Sequence, residues 1–145
     1  MNLKIINGNF FPEQSVNDAS LGQLVEINGL RAYLAGDIGG YQNEISLLPD
    51  IGGRIGLLKI GHHGYDGANG SEYMNALKPD VAIYTNIYKW IHENVARRIA
   101  NSGAVQYATG DFGGIAAVFD NVIKYYAIGE YPLDKYTVED YRAIE

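Results

Sequence analysis

Apolar and polar positions alternate over two neighbouring runs, LVEI (24–27) and LRAYLAG (30–36), separated by Asn28-Gly29. Such alternation predicts half-buried strands, and Asn-Gly between them predicts a tight β-hairpin. LKIINGN (3–9) predicts a short strand closed by Asn7-Gly8, while FPEQSVNDAS (11–20) is polar and reads as loop. After the hairpin the pattern changes. A short helix is predicted near 41–48, stopped by Pro49. GLLKIG (56–61) and VAIYTN (81–86) are continuous apolar runs, the pattern of buried strands. Between them, GYDGANG predicts a loop. SEYMNALKPD predicts a helix of about two turns, N-capped by Ser71 and ended at Pro79. HENVARRIANSG (92–103) carries Val95 and Ile99 on one face and predicts an amphipathic helix that stops at Gly103. AVQYATG, GIAAVFD and VIKYYAI, within 104–128, predict three strands, the last two joined through Asp120-Asn121. The tail PLDKYTVEDYRAIE predicts a short helix or an extended arm.

A hairpin-rich start, two strand–helix units and then more strands describe an α/β or α+β fold, with a mixed sheet and helices mainly on one face. The length of 145 residues fits one domain, 1–145, with 129–145 as a tail. Composition changes this picture little: 47% hydrophobic and 19% charged residues are ordinary for a globular chain. The net charge of −6 argues against a general nucleic-acid surface, which would be basic. It does not exclude an enzyme of nucleic acids, because bound cations change the local field. With no cysteine, disulfides and thiolate metal sites are ruled out, and any metal must be held by His, Asp or Glu. No secretory signal and no apolar run of membrane-spanning length is seen, so a cytoplasmic location is expected. The twelve tyrosines are scattered and read as strand and core-edge packing.

Two strand ends carry the candidate chemistry. RAYLAGD places Asp37 just past one strand, and LLKIGHH places His62 and His63 just past the next. In open α/β sheets, ligands sit at the carboxyl ends of the strands. A carboxylate and an imidazole from adjacent strand ends can share a divalent metal. Asp37 has two oxygens and can bridge two metals roughly 3.5–4 Å apart, the spacing that clamps both oxygens in phosphoester hydrolysis. Adjacent histidines point to opposite sides if the backbone stays extended, so one would ligate and the other donate to a substrate oxygen. The competing reading makes Asp37 a turn residue and the histidines strand-end residues bonded to backbone. His92 reads as polar surface at a helix start or as a residue of the site rim. Asp66, Asn69 and Asp111 lie in loops, as turn residues or at the rim.

The ordered set AYLAGD, LLKIGHHG and a Ser-started helix ending ALKPDVAIYT closely resembles the C-terminal half of metallo-β-lactamase-fold hydrolases. The nearest branch is similar to that of the DNA-uptake competence proteins and choline-phosphate esterases. SLGQLVEINGLRAYLAGD and IHENVARRIANSGAVQYATGDFGGI extend the likeness, which covers about residues 20 to 119. The resemblance implies half of an αββα sandwich and a metal-dependent hydrolase, with two zinc ions in the complete domain, acting on phosphoester or phosphodiester bonds. It implies Asp37 as the bridging aspartate and His63 as the last histidine ligand, since that ligand is typically followed by a small residue, here Gly64. His62 becomes the phosphate-facing catalytic neighbour, though the two histidines can exchange roles. His92 falls where the branch often has a histidine before its late helix.

The family's principal metal motif, His-x-His/Asp-x-Asp-His, is absent, and the only histidines are 62, 63 and 92. The expectation is therefore a truncated domain, inactive alone and completed by a missing N-terminal half or by a second copy of the chain. The alternative is a non-catalytic interaction module that keeps the fold without the metal site. Hydrolysis of a lactam or a thioester is a further reading that shares the fold but not the His-His-Gly signature. Half a sandwich would leave one sheet face bare, with aliphatic residues of LVEI, AYLAG and IAAVF on it. That predicts self-association as a homodimer.

Overall fold

The computed structural model describes residues 1–7, 16–128 and 141–143. Six strands form one sheet in sequence order: β1 (Asn2–Ile6), β2 (Gly22–Ile27), β3 (Leu30–Leu34), β4 (Leu57–Lys59), β5 (Val81–Tyr84) and β6 (Val105–Ala108). The first three run antiparallel and β3 to β6 run parallel, so the sheet is mixed. The expected hairpin joins β2 to β3. Asn28 (φ 51°) and Gly29 (φ 80°) both take positive φ there, as a two-residue loop matched to strand twist requires.

Each parallel pair needs a crossover, and helices provide it: α1 (Tyr41–Ile51), α2 (Ser71–Leu77) and α3 (Glu93–Asn101). Because the strand order advances in one direction, crossovers of one hand place all three helices on the same face. There Leu47, Ile51, Tyr73, Met74, Leu77, Val95 and Ile99 pack with Tyr33, Leu58, Ala82 and Tyr84 of the sheet in one buried cluster. Two sequence expectations need correction. Pro49 lies inside α1 and does not stop it. A proline loses its own N–H bond and crowds the carbonyl four residues back, but here it sits in the last turn, which closes with Gly52 N–H donating to Leu48 O at 2.9 Å. Ser71 does not cap α2 but is its first helical residue. Gly70 holds the cap position without a side-chain bond.

The opposite sheet face was expected to be bare. Its centre is covered by the chain itself. After α4 (Thr109–Phe112), strands β7 (Ile115–Phe119), β8 (Ile123–Ile128) and β9 (Tyr141–Ala143) form a second, antiparallel sheet. Ile115, Ala117, Phe119, Ile123 and Tyr125 pack on Ala32, Leu57, Val81 and Ile83. This is why β5 is buried along its whole length. Cover thins toward the β1 edge, where Leu3 and Ile5 are 55% and 47% exposed and Leu34 is 36% exposed. The expected turn at Gly8, and most of the reading of the tail, lie outside the described residues.

The junction between β4 and the following turn is tight. A Cβ at Gly61 would lie 2.5 Å from the Ile38 carbonyl oxygen, which is backbone and cannot rotate away. Gly61→Ala should therefore destabilise the fold by about 1–3 kcal/mol, read as a lower urea midpoint. An unchanged midpoint would show that the Asp37–Ile38 segment yields freely.

Candidate functional site

Parallel pairing sets the site. Leu34 of β3 lies opposite Lys59 of β4, and the ladder continues with Ala35 N–H donating to Lys59 O at 3.3 Å. The two strands therefore end at a common rim. Beyond β3 the chain turns at Ala35–Ile38, closed by Ile38 N–H to Ala35 O at 3.2 Å, which presents Asp37. Beyond β4, Gly61–Gly64 forms a 3₁₀ turn that carries both histidines. His63 Nε2 lies 3.0 Å from Asp37 Oδ1, and each side chain is about 40% exposed.

The turn is not extended, so the two histidines do not simply face opposite ways. His62 (φ 49°) and His63 (φ 51°) are both left-handed. Each such non-glycine residue costs about 1–2 kcal/mol, and the surroundings hold them there. The Asn69 side chain accepts from Gly61 N–H and donates to Gly61 O, both at 3.1 Å. The Asn86 amide donates to His63 O at 3.2 Å. His92 N–H donates to Gly64 O at 3.0 Å.

The His63 ring is fixed from behind. Its Nδ1 lies 3.1 Å from Thr85 O and 2.7 Å from Thr85 Oγ1. Nδ1 can donate to the carbonyl or accept from the Thr85 hydroxyl, which is the nearer contact. With the proton on Nε2 the ring donates an ordinary hydrogen bond to Asp37; with the proton on Nδ1, Nε2 turns a lone pair toward that carboxylate. Two lone pairs at 3.0 Å repel unless a proton or a cation lies between them. A histidine ligand whose other nitrogen donates to a carbonyl is the usual arrangement at metal centres.

The remaining candidates are dispersed. The Asn17 amide donates to His62 Nε2 at 3.1 Å, which leaves the Nδ1–H of the neutral His62 ring as a donor beside the Gly39 backbone. Asp66 is half exposed and reaches Arg98 at 3.5 Å and His92 at 3.9 Å. Bonding to the Gly67 backbone, the nearby His92 ring and the Arg98 guanidinium hold its carboxyl below the usual range. His92 caps α3, its Nδ1 accepting from Asn94 N–H at 3.3 Å. Asn69 is not at the rim: it is fully buried beneath the histidine turn. Asp111 accepts from Tyr88 N–H at 3.1 Å and ties α4 to the segment after β5. Among the described residues, no group of three or more His, Cys, Asp or Glu is placed to hold a metal ion.

Three neighbours escaped the sequence reading. Lys59 Nζ lies 3.8 Å from Asp37 Oδ1 and donates to Gly36 O. Burial lowers its pKa, and the Asp37 charge offsets part of that. A lysine inside an apolar strand was the available signal. Thr85 gave none, because only tertiary folding brings it behind His63. Glu44 is buried in α1 and accepts from the N–H groups of Asn69 and Gly70. Burial raises its pKa to about 7, against the pull of those two bonds and of Arg98.

No family model matches the chain. Two curated homologues do. ComE operon protein 3 of Bacillus subtilis (strain 168) is 30% identical over 121 residues, covering 72% of this chain and 15% of that protein. Competence protein ComA of Neisseria gonorrhoeae is 30% identical over 118 residues, covering 70% of this chain and 17% of that protein. The chain thus matches a small part of each relative's length. No helix among the described residues is long and apolar enough to cross a membrane.

Glu44 yields a pH prediction. Its folded pKa of about 7 exceeds that of a free glutamate, roughly 4.3. Between those values the unfolded chain releases the proton first, so stability falls as pH rises and levels off above about 7. The loss is on the order of 3 kcal/mol. Urea unfolding at pH 5 and pH 8 should show Glu44→Gln gaining on the wild type by about that amount at the higher pH. A constant difference would refute the shift.

Proposed function

We propose that this chain is the C-terminal part of a metal-dependent, metallo-β-lactamase-fold hydrolase acting on phosphoester or phosphodiester bonds. Asp37 and His63 would be its contribution to a divalent-cation shell, with zinc the ion that suits an imidazole–carboxylate pair. One observation carries the reading. His63 presents Nε2 to Asp37 at 3.0 Å while Thr85 holds its Nδ1 from behind, so an imidazole and a carboxylate stand side by side as a shared cation would need. The likeness to two competence proteins supports the branch. The pair fits one edge of a coordination shell and not a whole one, since catalytic zinc sites take three protein ligands. The remaining ligands would come from another segment or another chain.

In this reading a bound cation supplies charge stabilisation at the phosphoryl oxygens. The residues of this chain do the rest. Asp37 holds its position through the Ala35–Ile38 turn and the neighbouring Lys59 ammonium. Thr85 holds the His63 ring from behind through Nδ1. His62, with Nε2 taken by Asn17, offers Nδ1–H to a substrate oxygen. The apolar strip of Leu3, Ile5 and Leu34 is where a completing partner, a second copy included, would pack.

The test is metal titration together with activity. The chain should bind Zn²⁺, and Asp37→Ala or His63→Ala should weaken binding by roughly tenfold or more, whereas Asp111→Ala should not. Chelator-sensitive phosphodiester hydrolysis by the completed protein should vanish in Asp37→Ala. Equal Zn²⁺ affinity in the wild type and Asp37→Ala would overturn the assignment and favour the non-catalytic interaction module.

A further inference from the structure

Two consecutive left-handed histidines do not hold their own shape, and what holds them is traceable atom by atom. Asn69 is fully buried, and its side chain grips both backbone polar groups of Gly61. Asn69 is in turn fixed through its own backbone. Its N–H donates to the Glu44 carboxylate from α1, and its carbonyl accepts from Arg98 Nε of α3 at 3.0 Å. The same two side chains hold the residues on either side: Glu44 accepts from Gly70 N–H at 2.9 Å, and Arg98 Nη2 donates to Ala68 O at 3.0 Å. A side chain from each of two helices thus holds one asparagine, and that asparagine holds the turn.

We infer that Asn69, anchored by Glu44 and Arg98, is a positioning residue that sets the angle at which His63 meets Asp37. Gly61 is the lever. It is pressed against the Ile38 carbonyl, so the Asn69 grip fixes the histidine turn relative to the very segment that carries Asp37. Neither Asn69 nor Glu44 is placed to touch a ligand; they act through the His63 ring. Its orientation decides whether Nδ1 stays on the Thr85 carbonyl and whether Nε2 faces the carboxylate. The metal consequence rests on the reading of Asp37 and His63 as ligands. The positional consequence does not.

The experiment reads the two separately. Asn69→Gly tolerates the left-handed backbone of Asn69 (φ 57°) and removes both bonds to Gly61. Asn69→Asp keeps the acceptor for Gly61 N–H and sets a second acceptor against Gly61 O. In the metal-free chain, ¹⁵N spectra of the imidazoles should show His63 in a single tautomer, with Nδ1 bonded to Thr85 and Nε2 to Asp37. Both variants should give a mixture of tautomers at unchanged helical circular dichroism. Zn²⁺ affinity should fall roughly tenfold to a hundredfold, less in Asn69→Asp than in Asn69→Gly. If the wild type binds no Zn²⁺ but the tautomer shift appears, the ligand reading fails and the positioning role stands. If the His63 tautomer is unchanged in folded Asn69→Gly, positioning is overturned, whatever the metal does. Should Asn69→Gly not fold, Asn69→Asp carries the same two readouts, and an unchanged tautomer there overturns the proposal equally.

Discussion

The parallel pairing of β3 with β4 is the constraint on which everything else depends. Ala32, Tyr33 and Leu34 lie opposite Leu57, Leu58 and Lys59, so two chain segments well separated in sequence end side by side. A shift of one residue would turn Tyr33 and Leu58 away from the helices and Ala32 and Leu57 away from the second sheet. Both faces of this pair are buried, so the register is held from two sides. The register therefore brings the ends of the two strands together, where His63 lies 3.0 Å from Asp37.

The rim also concentrates unfavourable features. Two left-handed histidines, a largely buried lysine and a buried glutamate gather around β3, β4 and the loop that follows them. Each is costly alone, and each is matched by a specific partner. Lys59 finds Gly36 O and Asp37. Glu44 finds the two backbone N–H groups just before α2, those of Asn69 and Gly70. Strain and buried charge collected in one place are typical of sites that must keep a fixed shape.

Much of this fold was legible because its signals are local. Asn28-Gly29 announced the hairpin, the apolar runs announced β4 and β5, and His92 stood where α3 begins. The pairing of Asp37 with His63 was legible as a rim of strand ends. Partners set by tertiary contact were not. Nothing around Thr85 announces that its carbonyl lies behind His63, and nothing in GYDGANG announces that Asn69 is buried while Asp66 is open to solvent. Ser71 was misread as a cap because it is a capping-type residue before an apolar run, whereas it is already the first helical residue and Gly70 holds the cap position. The sheet face expected to be bare was misread for a related reason. β7 and β8 were recognised as strands, but alternation along a strand does not say which sheet it joins.

The second sheet bears on the site as well as on the core. By packing on Ala32, Leu57, Val81 and Ile83, it closes the face opposite the helices and locks the middle of β3, β4 and β5, the strands that lead into the rim. Its cover does not reach Leu3, Ile5 and Leu34, which lie toward the other edge. The apolar surface left open therefore flanks β3, the strand that ends in Asp37, while the side of β4 and β5 that leads to His63 and Thr85 is sealed. Asp37 thus follows a strand with open apolar surface beside it, and His63 follows one covered on both faces. Under the proposed function, the remaining ligands would approach from that open side without displacing the groups that orient His63.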